Sequence, residues 1–286
     1  MRGRGLLRGL CQDLFSLPGL LGLLLVVIVL AAIAAPWIAP FDPAQQNLLG
    51  RLKPPGTELR GAVHWLGTDE LGRDLLSRIL HGARISLLVA FAAVLLSLLV
   101  GGVLGMAAGL WRGWLEVLVM RLADVVLSLP AILLAILTVA VLGPSLANLI
   151  GVLAFTRWPR YARVAYAQTL SVAHTPYLRA ARYVGAGPVR LIWRHITPNA
   201  LAPLVVVATL EFGIMILFEA SLSFLGLGVQ PPTPSWGSIL AVGRNYMESA
   251  WWIATLPGLA LFSVVFAVNV WGDHLRDRLD PRALSR

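Results

Sequence analysis

Between Arg157 and Pro198 the chain carries seven arginines (157, 160, 163, 179, 182, 190 and 194) and two histidines (174 and 195), with no acidic residue. Strongly apolar segments stand on both sides. An apolar run of about 20 residues crosses a bilayer core of about 30 Å, and an Arg-rich loop between two such runs stays cytoplasmic. Composition agrees with a membrane protein: apolar residues make up 58%, against roughly 45–50% in soluble domains, and mean hydropathy is +0.78. A formal charge of +9 would suggest nucleic acid in a soluble protein. Here no basic-and-aromatic repeat accompanies it and inside loops account for it, so no nucleic-acid partner is expected. The single Cys11 excludes an intramolecular disulfide and a cysteine-based metal cluster.

The basic stretch has local structure of its own. Thr175-Pro176 is a cap followed by a proline at the first helical position, and Gly185 can take the left-handed conformation that ends a helix. Gly187-Pro188 starts a second short helix, VRLIWRHI, with Arg194 and His195 at the favourable end of its dipole. Thr197-Pro198-Asn199 reads as a further cap-and-proline start. The expectation is a cytoplasmic helix–turn–helix whose return helix feeds into the membrane.

In chain order, residues 1–17 hold Arg2, Arg4 and Arg8 and have the pattern of a cytoplasmic interfacial helix. Residues 18–286 form the membrane domain, with six expected crossings: 18–38, 84–109, 117–142, from 147, 199–225 and 252–271. Basic residues before the first run also suit a signal peptide with a small-residue site at Ala32-Ile33-Ala34; five further apolar segments favour an uncleaved helix. Residues 39–83 form an outer loop, irregular in its Pro- and Gly-rich first half, with Thr68 or Asp69 expected to cap the helix that follows. Gly101, Gly102, Gly105 and Gly109 allow close helix approach. Pro130 is expected to kink its helix, and Asp124 to pair locally with Arg121. Residues 159–198 are cytoplasmic, 226–250 form an outer loop with a short surface helix, and 273–286 a cytoplasmic tail. Most of the 23 Lys and Arg thereby fall inside, which places both termini in the cytoplasm. Glu211 and Glu219 lie within apolar sequence, where a carboxylate is expensive. They are candidate residues of a translocation path, the alternative being that neighbouring helices satisfy them.

Two strings carry a resemblance. Arg179-Ala180-Ala181, then Gly185, then Ile196-Thr197-Pro198 resembles the "EAA" loop of bacterial ABC-importer permeases, with Arg179 in place of the usual Glu and Thr197 in place of Leu. His64-Trp65-Leu66-Gly67-Thr68-Asp69, continuing through Gly72-Arg73-Asp74 to Ser77-Arg78 and then GARISL, is similar to the second ("C") permease subunit of the dipeptide/oligopeptide/nickel branch. FEASLSFLGLG around Glu219 and the tail GDHLRDRLDPR also match that branch. Spacing of Asp69, Glu70, Arg73 and Asp74 suggests helix-face salt bridges rather than a metal or acid/base site.

The resemblance implies an all-α fold of six transmembrane helices and a non-catalytic subunit of an ATP-driven importer. ATPase coupling would fall to Arg179, Ala180, Ala181, Gly185, Pro188, Arg194, His195 and Pro198. The outer motif would be Gly67, Thr68, Asp69, Gly72, Arg73, Asp74 and Arg78. Implied partners are a homologous second permease, two P-loop ATPase subunits, an extracytoplasmic solute-binding protein and membrane lipid. No GxxxxGK[ST] loop is present, so ATP and Mg belong to the partners and the chain itself binds no cofactor or metal. Peptides are the first expectation for cargo, nickel or another small solute the alternative. A stand-alone secondary transporter or channel is a second class, and an intramembrane enzyme, lacking HExxH, GxSxG or a clustered His/Asp array, a third.

Overall fold

The computed structural model describes residues 16–59 and 61–279; Cys11, nearly all of the expected N-terminal interfacial helix and the end of the tail lie outside them. The first helix, α1 (Leu17–Ile38), opens at Ser16, whose Oγ accepts from the Gly19 N–H at 3.3 Å, with Pro18 in the first turn. It is apolar all round and buries only Ala32 and Ala35, the pattern of a helix solvated by lipid.

Part of the outer loop is more regular than expected. β1 (Thr57–Leu59) pairs antiparallel with β2 (Ala62–His64), Thr57 opposite His64. The next helix, α2 (Leu75–Trp111), starts well before residue 84 and directly out of the outer motif. Its cap is neither Thr68 nor Asp69 but Asp74, whose Oδ2 accepts from the Ser77 N–H at 2.8 Å.

The kink expected at Pro130 is a full break: α3 (Trp114–Ser128) and α4 (Ala131–Leu142) meet at 93°. Proline removes a ladder N–H and drives the preceding residue to extended backbone, and Leu129 sits at φ −95°, ψ 140°. The chain then forms α5 (Leu146–Ala173) and α6 (Pro176–Tyr183). After these, α7 (Pro188–Leu191), a π-turn over Ile192–Ile196 and α8 (Thr197–Phe224) run as one helical stretch of 37 residues. Thr197 therefore does not start a new helix; it is itself helical, φ −53°, ψ −47°. The wider π-turn absorbs the missing N–H and ring clash that Pro198 would otherwise impose.

The helix expected on the outer surface, α9 (Trp236–Gly243), is instead packed in, with Trp236, Gly237, Ile239 and Gly243 buried. A Ser235/Ser238 capping box opens it. The last helix, α10 (Trp252–Leu279), carries the first part of the tail in helical form.

Among the described residues four helical stretches are long and apolar enough to cross a membrane (α1, α2, 188–224 and α10), or five if α3 and α4 count as one broken span. Of the six expected crossings, α5 falls short because Arg157, Arg160 and Arg163 lie within it.

Two compact units make up the structure. The first draws on residues 16–90, 142–149 and 213–271. Its core gathers Leu75, Ile239, Ala250, Trp252 and Ile253; the Trp252 Nε1–H donates to the Thr68 carbonyl at 3.2 Å, and the Trp236 N–H to Ser86 Oγ at 3.3 Å. The second draws on 91–141, 150–212 and the part of α10 from 272. There α2 lies against α5 through a stripe of glycines. A Cβ at Gly101 would stand 2.3 Å from the Trp158 carbonyl oxygen, at Gly105 2.2 Å from that of Ala162, and at Gly109 2.7 Å from Thr169 Cβ. Gly102 instead meets Leu204 at an ordinary 3.9 Å. Close backbone approach of this kind is the main attraction between helices in lipid, where the hydrophobic effect does not distinguish a helix from an acyl chain. Gly105→Val is thus expected to destabilise the second unit by about 3 kcal/mol, read as a lower thermal unfolding midpoint in detergent. Gly102→Val should stay near wild type, and equal midpoints for both variants would contradict the packing described.

Candidate functional site

The arginine-rich stretch divides in two. In its first half the arginines of α5 find acids in the chain. Arg160 Nη1 donates to Glu211 Oε1 at 2.7 Å, and Arg157 Nη1 lies 3.5 Å from Glu211 Oε2. Arg163 Nη2 donates to Asp124 Oδ1 at 2.6 Å. Asp124 is therefore paired across helices with Arg163 and not locally with Arg121. The Tyr166 hydroxyl donates to Glu116, which also lies 3.6 Å from Arg112.

The second half is the helix–turn–helix. Buried Leu178, Leu191 and Ile196 hold α6, α7 and the π-turn in a core with Met106 of α2, Tyr161 of α5 and Leu204 of α8. Gly185 sits at φ +87°, where a side chain is strained. Its N–H donates to the Arg182 carbonyl and that of Ala186 to the Ala181 carbonyl, both at 3.0 Å, which completes a Schellman turn. Thr175 occupies the cap position of α6, yet its hydroxyl donates back to the Val172 carbonyl at 2.6 Å. Arg179, Ala180, Gly185, Pro188, Arg194 and Pro198 are exposed, while Ala181 and His195 are half-buried. One staple escaped sequence reading. The Tyr177 hydroxyl donates to the His195 carbonyl at 3.3 Å and accepts from Asn199 Nδ2 at 3.0 Å. It ties α6 to the π-turn, and no local pattern links residues 22 positions apart.

The two carboxylates of α8 do not form an open polar flank. Glu211 is 2% exposed and Glu219 0%. Glu211 belongs to the second unit and answers the arginines of α5. Glu219 belongs to the first; Ser223 Oγ donates to its Oε1 at 2.7 Å, and the Ser86 and Ser235 hydroxyls face the same carboxyl. Burial in apolar surroundings requires such partners, and this is why neither side chain turns to open space.

In the outer motif the acids and bases form a buried knot on a turn, not the face of a helix. Asp69 Oδ1 accepts from the Leu71 and Arg73 N–H groups, each at 2.9 Å, and Oδ2 from Arg73 Nε at 2.7 Å, with Arg78 Nε at 3.2 Å. Arg73 Nη2 also donates to Glu70 Oε1 at 2.8 Å. Asp74 Oδ1 meets His64 Nδ1 at 2.8 Å, and His64 stacks on Phe41 with ring centroids 4.5 Å apart. Burial, followed by the neighbouring Asp69 carboxylate, pushes the Glu70 carboxyl above its usual range despite Arg73. Thr68 donates to the Gly50 carbonyl at 2.5 Å. Gly67 and Gly72 let the turn lie against other backbone: a Cβ on Gly72 would stand 1.8 Å from the Asn47 carbonyl oxygen. Every acid here is committed to donors of the same knot, so its chemistry is architectural.

The described residues thus form a helical protein with bilayer-length apolar helices, an exposed basic turn and a salt-bridged loop. Residues 101–284 match the family described as the binding-protein-dependent transport system inner membrane component. Residues 20–55 match the N-terminal TM domain of oligopeptide transport permease C. The chain is 48% identical over 268 residues to a di/tripeptide transport system permease protein of Pseudomonas aeruginosa, covering 93% of this chain and 88% of that one. It is 47% identical over 263 residues to a dipeptide transport system permease protein of Escherichia coli K12, covering 91% and 88%. A structure of the inward-facing methionine ABC transporter has a chain that superposes with a TM-score of 0.58 at 19% identity, covering 72% of this chain and 98% of that one. The protein belongs to the binding-protein-dependent ABC transport permeases of the oligopeptide C type. It is the non-catalytic, multi-pass inner-membrane component of such a system.

Removing Glu211 would leave Arg157 buried without its acid, which costs about 3–5 kcal/mol. The pair of Arg163 with Asp124 is half exposed on both sides, 53% and 47%, and is worth about 0–1 kcal/mol. Glu211→Ala should therefore lower the unfolding midpoint strongly and Asp124→Ala little; the reverse order would refute this assignment of the α5 arginines.

Proposed function

We propose that the chain forms half of the translocation pore of an ATP-driven importer of di- and oligopeptides. The observation that carries the cargo is the identity of 44–48% to permeases named for dipeptides or di/tripeptides, over more than nine-tenths of the chain. The other half of the pore is a homologous permease, two P-loop ATPase subunits supply ATP and Mg chemistry, and an extracytoplasmic binding protein delivers the peptide and sets selectivity. The chain crosses six times, α3 with α4 as one broken crossing and α5 as another, with both termini in the cytoplasm. Support for that orientation is the concentration of arginine in the turn, the N-terminus and the tail.

Coupling runs through Arg179, Ala180, Ala181, Gly185, Pro188, Arg194, His195 and Pro198. Because 188–224 is one continuous helical stretch, a displacement of α6 and α7 by the closing ATPases is passed to α8 as a rigid-body shift. Glu211 and Glu219 act as braces within the wall of the path, and the buried knot from Gly67 to Arg78 stiffens from within the outer loop that receives the binding protein.

Purification of the tagged chain in mild detergent, followed by mass spectrometry, tests the assembly. Recovery of P-loop ATPases and a second permease is the expected result, and a stable homo-oligomer free of ATPase would overturn it. Gly185→Val tests coupling. A Cβ there meets nothing within 4 Å, so the variant strains only the backbone, by about 1–2 kcal/mol. Loss of peptide-stimulated ATP hydrolysis with basal hydrolysis kept is expected; full stimulation would rule the turn out as the coupling element.

A further inference from the structure

We infer that Arg160 is a binding residue of the translocation path, its half-exposed guanidinium taking the carboxylate of the cargo. This rests on the importer reading and adds the residue that recognises one end of the peptide.

Arg160 and Arg157 stand over a single acid. Arg160 Nη1 donates to Glu211 Oε1 at 2.7 Å, and Arg157 Nη1 lies 3.5 Å from Oε2. Two guanidiniums thus answer one carboxylate, and one positive charge is left over. The two arginines differ in access: the Arg157 side chain is 7% exposed and that of Arg160 49%. Glu211 is buried beneath them, so the surplus charge is presented at Arg160. A guanidinium is a planar fork of five N–H donors. The bond to Glu211 occupies one nitrogen, and the remaining donors can take a second carboxylate.

The place of Arg160 on α5 says what it faces. It stands near the middle of the 28 residues of that helix, about 20 Å along the axis from Leu146, within the depth of a core of about 30 Å. A guanidinium half open at that depth cannot face acyl chains, and its tie to Glu211 keeps it from snorkelling to a headgroup phosphate. Arg160, Arg163 and Ala167 follow at i, i+3 and i+7 and make one exposed face on the half of α5 nearer the basic turn. Further back the same face is closed, with Leu153, Thr156 and Arg157 buried. Arg160 therefore marks the inner end of an open, charged face, to which Asp124 also contributes, half exposed beside Arg163. The core of an interface between subunits is depleted in charge, so this face suits a water-filled path better than a second permease.

A peptide fits the site whatever its side chains, because every one ends in a carboxylate. A bare divalent cation does not, since the surplus charge repels it.

The test uses the full complex with its ATPases and second permease, in nanodiscs and without the binding protein. Retention of radiolabelled dialanine is measured in competition with N-acetylalanine, which keeps only the carboxylate, and with alaninamide, which keeps only the amine. In wild type N-acetylalanine is expected to displace dialanine and alaninamide is not. Arg160→Gln should weaken dialanine and N-acetylalanine by about ten- to hundredfold and erase the preference between the two competitors. Arg160→Lys, which keeps the charge and loses the fork, should restore the preference in part. A residue that served only to hold Glu211 would shift the unfolding midpoint and leave that preference alone. An unchanged preference in Arg160→Gln therefore overturns the inference while leaving the importer reading intact, and so does a wild type that retains no dialanine. If Arg160→Gln sheds the second permease while complexes that keep it bind dialanine as wild type does, the face belongs to the subunit interface and the inference falls. Wild type purified without ATPases or a second permease defeats the importer reading itself, and the inference with it.

Discussion

A charge inside a membrane helix must find its counter-charge within the protein, because hydrocarbon offers it nothing. The rest of the structure is arranged around that demand. Arg157 and Arg160 on α5 close on Glu211 of α8, and this pairing compensates a buried carboxylate in an otherwise apolar helix. Glu219 meets the same demand with hydroxyl donors. The apolar helices then need only shape, and α2 supplies it with a stripe of glycines that brings its backbone against α5.

The turn between α5 and α8 inherits its character from this arrangement. Arginines near the helices are used up by acids; those beyond are left facing outward on an anchored pair of short helices. The π-turn at Ile192–Ile196 keeps that pair continuous with α8 in spite of Pro198. A break there would have made a hinge. Continuity gives a single helical stretch of 37 residues from the short helices into α8.

Much of this was legible beforehand. The turn glycine at 185 and the start of α6 at Pro176 both follow from local chemistry that tertiary contacts had no cause to override. Two differences share one origin. The sequence pairs Asp124 with Arg121 and offers Thr68 or Asp69 as the cap, because local pattern registers neighbours along the chain and not neighbours in space. Arg163 is 39 residues from Asp124 and becomes its partner only once α3 and α5 are packed. The cap is Asp74 because the helix begins at Leu75, and Asp69 turns its carboxylate to Arg73 instead.

The sequence by itself determined that this is a helical membrane protein with a basic turn between apolar segments, since bilayer-length apolar runs depend on transfer energies that act residue by residue. It also determined the family, through strings such as Gly67 to Arg78 that survive as written. Only the tertiary structure decided which arginines are neutralised and which stay exposed, that Pro130 breaks its helix while Pro198 does not, and that both glutamates of α8 are buried. The reason is that ion pairing and burial depend on distances between helices, and those exist only after the chain has packed.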